Sequence, residues 1–317
     1  MAGLLHSSAS NLWSRSLSDD DRVLVTGASG WVGSTACALL AATPCEVLPL
    51  ASTRRAIRIG DATVHCVPWD WTEVRSFRPT VVIDCAFLTR DHVATMPLAD
   101  YFTINESLTA NTLAAAQLDT VQRVVTISSG AAVFPVDALS RPREENPYGW
   151  LKRHAEHELE FVAEERGISV VIARAWSLSG AFVRHPSHYA LFDMITQAIA
   201  GAIHITAAAP VYRRYTSVED LLAVALSNTD APGATVIDSG GPLLEMAEIA
   251  AAVARVVNPG APITRAQPDG SAPHAYFAEP ESWDRACVSA AFVPADIDEQ
   301  IAVAHQGLRD PRGNDRT

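Results

Sequence analysis

A chain of 317 residues with 48% hydrophobic content has enough apolar side chains for one large packed domain or two lobes. Its 24 basic and 36 acidic residues give a net charge of −12, which argues against a nucleic-acid backbone as main partner and leaves room only for local phosphate recognition. Five cysteines, Cys37, Cys45, Cys66, Cys85 and Cys287, have no C-x-x-C spacing and read as buried thiols of a reducing compartment, with no disulfide and no metal site expected.

The opening "MAGLLHSSASNLWSRSLSDDD" has neither the basic n-region nor the apolar stretch of a secretory signal, and no later segment offers the roughly 18 apolar residues of a membrane helix. The expectation is a cytoplasmic protein, away from membranes, with mobile tails at 1–20 and 307–317. "DRVLVTGASGWVGSTACALLAATPCEVLPLAS" reads as strand, glycine turn, alanine- and leucine-rich helix closed near Pro44, and strand. The alternation continues through "ATVHCVPW", "TVVIDCAF", a helix over "YFTINESLTANTLAAAQ", the run "VQRVVTISS", a helix from Tyr148 to about Arg166, and "ISVVIARAWS". Such alternation predicts an α/β fold with a Rossmann-type, doubly wound parallel sheet over 21–176. Beyond Ser177, "HYALFDMITQAIAG", "YTSVEDLLAVALSN" and "LLEMAEIAAAVARVV" read as helices separated by short strands. They predict a smaller α/β substrate lobe from 177–213 and 239–306, capping the carboxyl ends of the strands, with 214–238 returning to the first domain.

The turn "TGASGWVG" places Gly27, Gly30 and Gly33 directly after a strand and at a helix start. The glycines allow a tight turn, close approach of a pyrophosphate to the backbone, and close packing of helix on strand. Free N–H groups at the helix start face the phosphates, so Gly27, Ser29, Gly30, Trp31 and Val32 are cofactor-binding candidates. The second strand ends "LPLASTRR", where a carboxylate would select a ribose 2′-hydroxyl and an arginine a 2′-phosphate. Ser52, Thr53, Arg54 and Arg55 occupy that stretch, which favours NADP(H), with NAD(H) still possible. In "WDW", Asp70, with Trp71 beside it, is placed to bond the adenine amino group.

Tyr148 and Lys152 stand at i and i+4 and share one helix face. A free phenol has a pKa of about 10; a nearby ammonium and an oxidised nicotinamide would stabilise its phenolate enough for proton exchange near neutral pH. The pair opens the helix after "VVTISS", in a chain whose first turn already reads as a dinucleotide cradle.

With these motifs the chain resembles the extended short-chain dehydrogenase/reductase family, in its branch of nucleotide-sugar epimerases, dehydratases and reductases. The resemblance runs from about Asp21 to Ala304 and rests on "TGASGWVG", "DCAF" with Asp84, "YFTINESLTANTL" with Asn105, "SSGAAVF", "YGWLKRHAE", "ARAWSLSG" and "RRYTSVEDL". It implies that Tyr148 is the acid/base, that Lys152 holds the ribose and lowers the phenol pKa, and that Asn105 supports a buried polar network; Ala86 falls among the cofactor contacts. Relatives carry Ser or Thr where this chain has Gly130, so Ser129, or less readily Ser128, is the candidate replacement that bonds the substrate oxygen. The alternative is that both serines satisfy backbone groups at a strand end.

On the substrate side the resemblance places Arg213 on a nucleotide diphosphate and Ser177 on the sugar or phosphate. Thr89, with Arg90 and His92, lies near the nicotinamide mouth, and His185, His188 and Tyr189 are further loop candidates. Arg265 is the nearest candidate for a second diphosphate clamp. Ala131 and Ala132 replace the acid pair of the dehydratases, which disfavours water elimination. The expected activity is reduction of a keto group on a nucleotide-linked sugar; the alternatives are an epimerase holding NAD tightly and a non-catalytic dinucleotide sensor. Related proteins dimerise through the helices containing "ESLTANTLAAAQ" and "YGWLKRHAEHELEFV", so a homodimer is expected.

Overall fold

The computed structural model describes residue 5, residues 7–59 and residues 62–309. Six strands form the central sheet: β1 Arg22–Thr26, β2 Glu46–Pro49, β3 Val81–Asp84, β4 Arg123–Ser129, β5 Ser169–Ala175 and β6 Gly233–Asp238. All pair in parallel, in the order β6-β5-β4-β3-β1-β2. The chain steps from β1 to β2 on one side and resumes with β3 on the other, so a crevice opens beyond the carboxyl ends of β1 and β3.

Helices cover both faces of the sheet, which is why strands such as "RVLVT" are apolar without alternation. On one face, α2 (Trp31–Leu40) and α7 (Val218–Ser227) join Val23, Val25, Ile83 and Val171 in one core. On the other, α3 (Trp71–Phe77), α4 (Leu98–Ala116) and α5 (Pro147–Arg166) pack on Leu24, Val82, Val124 and Ile172. Helix α5 starts where Asn146 accepts the Gly149 N–H and Pro147 sets the first turn, and it ends at left-handed Gly167. This start places Tyr148 one residue inside the helix.

Two elements differ from the sequence expectation. Residues 7–15, placed within a mobile tail, form α1 (Ser7–Arg15), whose Ala9, Leu12 and Trp13 are buried against α7. Apart from Glu219 and Asp220 in its first turn, helix α7 is apolar, and it is buried except at its last residue, so its outer side needs a cover that α1 provides. At the other end, residues 307–309 belong to α9 (Ile297–Arg309), where a Cβ on Gly307 would meet Ala181 O at 2.2 Å. Residues 1–4, 6 and 310–317 of the expected tails lie outside the described residues. The second difference concerns "ATVHCVPW", expected as a sheet strand. Residues Ala62–Cys66 instead pair antiparallel with Arg55–Ile59, and this hairpin meets the sheet edge through the single bridge Leu50–Val67.

The second part has its own core, in which α6 (Ala190–Ala200), α8 (Met246–Val257) and α9 bury Leu191, Phe192, Ile195, Ile249, Val253 and Ile301. Strand Val211–Arg214 lies between Leu243–Glu245, antiparallel, and His274–Ala275, parallel, and so carries Arg213 toward the crevice. Among the described residues no helix is long and apolar enough to cross a membrane.

Candidate active site

The glycine turn after β1 has the backbone that its sequence requires. Gly27 has φ of 62°, and a Cβ there would lie 2.7 Å from the carbonyl carbon of Cys85; a Cβ on Gly33 would lie 2.1 Å from Gly27 O. Only glycine fits either position. Gly30 caps α2 without using a side chain, so the helix start faces a cavity of about 460 Å³. Gly27, Ser29, Gly30, Ser52 and Ala86 line this cavity as expected, together with Ala51, Trp69 and Asn111. Thr53 and Arg54 are exposed just past its rim, and Arg55 is bonded to Thr53 Oγ1.

Asp70 and Trp71, expected beside the adenine, are placed elsewhere. Asp70 accepts the N–H groups of Thr72 and Glu73 as the N-cap of α3, and Trp71 carries the Arg75 guanidinium over its ring, so neither forms the cavity wall; Pro68 and Trp69 do. A carboxylate that opens a helix is turned along the chain, not outward. Asn105, fully buried, accepts from Leu88 N at 2.8 Å and donates to Tyr101 O at 3.2 Å. It fixes the loop after β3 from behind and does not face the cavity.

A second cavity of about 480 Å³ shares Gly30, Cys85 and Phe87 with the first. Its wall contains Trp31, Val32, Thr89, Ser129, Tyr148, Lys152, Ser177 and Arg213, so the fold brings together nearly all the remaining predicted site residues. His188 and Tyr189 also line it; Arg90, His92 and His185 do not. Ser128 and Ser129 have different partners: Ser128 donates to Glu156, while Ser129 Oγ accepts the Ala131 N–H at 3.2 Å and lines the same cavity as Tyr148. Arg265 does not form a second clamp, because its guanidinium is taken up by Ala207 O, Ala209 O and Glu245. Arg213 donates to Tyr212 O at 2.8 Å and lies 3.2 Å from His274 Nδ1.

The electrostatics of the central pair differ from the expectation that lysine holds the phenol down. Lys152 is 8% exposed, donates to Ile127 O at 2.7 Å and sits 3.8 Å over the Phe87 ring. Phe87 also packs edge-on against Tyr148, with centroids 5.7 Å apart. Burial pulls Lys152 down to about 8, opposed by the carboxylates of Asp84 and Glu156. Burial pushes Tyr148 up to about 12, and the Ser129 hydroxyl is the group that counteracts it. The carboxylates near the lysine are themselves saturated: Asp84 accepts from Thr26, Thr112 and Thr126, and Glu156 accepts two hydrogen bonds from Arg174. Sequence reasoning missed Phe87, Trp176 and Tyr276 as cavity residues. Phe87 lies inside the quoted "DCAF" and was legible there as a bulky residue; Tyr276 gave no local signal.

The NAD dependent epimerase/dehydratase family model matches residues 23–234. The chain belongs to this family. It is a member of the extended short-chain dehydrogenases/reductases, with the Rossmann-type sheet and the paired cavities described above. Solved structures agree on the fold. UDP-glucose 4-epimerase of Thermotoga maritima, in complex with UDP-glucose, is 18% identical with a TM-score of 0.70, covering 92% of this chain and 99% of that one. UDP-glucose 4-epimerase of Thermus thermophilus, in complex with NAD, is 22% identical with a TM-score of 0.67, covering 91% and 99%. UDP-N-acetylglucosamine 4-epimerase of Methanobrevibacter ruminantium, in complex with UDP-N-acetylmuramic acid, is 16% identical with a TM-score of 0.71, covering 91% and 98%. No curated protein matches the chain.

Proposed function

We propose that the chain catalyses NAD(P)-dependent oxidoreduction at a keto- or hydroxyl-bearing carbon of a nucleotide-linked sugar, with Tyr148 as the proton donor and acceptor. The observation that carries this reading is the placement of Tyr148, Ser129, Lys152 and Arg213 around one cavity that adjoins the glycine-turn cavity at Gly30, Cys85 and Phe87. The glycine cradle fits a dinucleotide, since the start of α2 at Gly30 has no capping side chain and faces the cavity. When bound, the dinucleotide supplies or accepts the hydride. Tyr148 gives a proton to the substrate oxygen in the reductive direction and takes it back in the oxidative one. Ser129 bonds the same oxygen, Lys152 anchors the ribose, and Arg213 pairs with phosphate as a charged fork.

Two reactions share this machinery. Reduction with NADP(H) is supported by the end of β2, where Ser52, Thr53 and Arg54 stand in place of an acid. Epimerisation with a retained NAD is supported by the epimerases among the structural neighbours, which bind UDP-linked sugars and NAD. The test supplies NADPH or NADH with a UDP-linked 4-keto-sugar, and UDP-glucose in a separate arm. Stoichiometric NADPH consumption selects the reductase; formation of the 4-epimer of UDP-glucose without net cofactor change selects the epimerase. In either arm Tyr148→Phe is expected to lower kcat by about 10²–10⁴-fold, and undiminished turnover would remove the mechanism.

A further inference from the structure

Gly130 leaves the end of β4 without a side chain, and an indole takes the space. A Cβ on Gly130 would stand 2.4 Å from Trp176 Cδ2. Trp176 follows the end of β5, and its ring is fixed from several sides. Its Nε1–H donates to Asp238 Oδ1 at 2.8 Å. Asp238 is tied down in turn, because Arg174, which gives two hydrogen bonds to buried Glu156, lies 3.9 Å from its other oxygen. The Tyr276 ring packs on the indole with centroids 4.8 Å apart, and Phe134 meets both rings edge-on, at 5.8 Å from Trp176 and 5.4 Å from Tyr276. Tyr276 directly follows strand His274–Ala275, whose pairing with Val211–Arg214 brings it from the second lobe.

Trp176 lines the cavity that also holds Ser129, Tyr148 and Arg213. An indole has one polar hydrogen. Asp238 has taken it, so toward the cavity Trp176 offers ring carbon alone. Residue 130 directly follows Ser129, and this carbon surface therefore borders the place where Ser129 and Tyr148 hold the substrate oxygen in the proposed reaction. A substrate hydroxyl pressed against the indole would lose its water and gain no partner, whereas a C–H or methyl group would gain contact. We propose that Trp176 is a specificity-determining residue, and that the sugar taken by this cavity lacks a hydroxyl on the flank it turns to the indole, beside the reacting carbon. This assignment rests on the proposed reaction at a nucleotide-linked sugar and narrows its substrate.

Binding of UDP-glucose, UDP-6-deoxyglucose and UDP-3-deoxyglucose is measured by calorimetry with NADPH present, in a Tyr148→Phe background that stops turnover. One of the deoxy analogues should bind about 10–100-fold more tightly than UDP-glucose, the difference that an unpartnered hydroxyl makes. Adding Trp176→Phe keeps a carbon-only ring and should keep the preference; adding Trp176→Gln brings an amide into the wall and should abolish it. Equal affinity for all three sugars, tighter binding of UDP-glucose, or a preference that survives Trp176→Gln overturns the inference and leaves the proposed reaction standing. If the Gln variant does not fold, the affinities of the Tyr148→Phe protein with and without Trp176→Phe decide. If NADPH binds and none of the three sugars does, the nucleotide-sugar reading falls and this inference falls with it.

Discussion

Gly130 and Trp176 are one feature seen from two strands. The ring excludes even a methyl group at residue 130, so the position is glycine for packing reasons as well as chemical ones. Gly130→Ser, which restores the hydroxyl usual in the family, is therefore expected to cost about 1–3 kcal/mol of stability through overpacking, without raising activity. Urea unfolding of both proteins checks the first part and a turnover assay the second. At this scale the sequence was informative wherever residue type and spacing set the geometry: Gly27, Tyr148 and Lys152 sit where the motifs placed them. It misled where a side chain had a competing local partner. Asp70 has the expected type and position, yet its carboxylate caps α3. Nothing in residue type says which of two nearby acceptors a carboxylate serves.

Helix α1 shows the same limit one level up. Ala9, Leu12 and Trp13 follow the i, i+3, i+4 spacing of a buried face, but the segment is short, polar elsewhere and close to the chain start. Isolated helices of this length are marginal, and only the apolar outer side of α7 gives this one a reason to form. Trp13 is fully buried, so Trp13→Ala is expected to destabilise the fold by about 3–5 kcal/mol, readable as a lower midpoint in chemical denaturation, while Tyr148 and its cavity are left in place. If residues 7–15 contributed nothing to stability, the midpoint would not move. The hairpin at Arg55–Ile59 and Ala62–Cys66 is the second element that apolar runs could not place. A short β-branched run is equally suited to a parallel sheet or a hairpin, and the difference lies in which edge it meets.

Across the whole molecule, two cavities of similar size meet beside Gly30, Cys85 and Phe87, and the second is closed by residues of the other lobe, among them Tyr189, Arg213 and Tyr276. A dinucleotide along both would bind the folded chain alone, stabilise it by about 2.7 kcal/mol at 100 times Kd, and so raise its melting temperature as its concentration passes Kd. The larger shift is expected with NADPH, and Arg54→Ala is expected to remove about tenfold of its affinity while leaving NADH unchanged, as loss of one charge-assisted contact to a 2′-phosphate would. Equal shifts with both nucleotides, unaffected by Arg54→Ala, would remove the NADPH preference, and a larger shift with NADH would assign the chain to NAD. By itself the sequence determined the parallel sheet, the glycine cradle and the Tyr148/Lys152 face, because each follows from periodicity or from backbone sterics within a few neighbouring residues. Only the tertiary structure decided that α1 covers α7, that Arg265 is spent on Glu245, and that Tyr276 shares a cavity with Tyr148. Those contacts join segments far apart in the chain, and it is the packing of one lobe on the other that selects among the partners each side chain is able to meet.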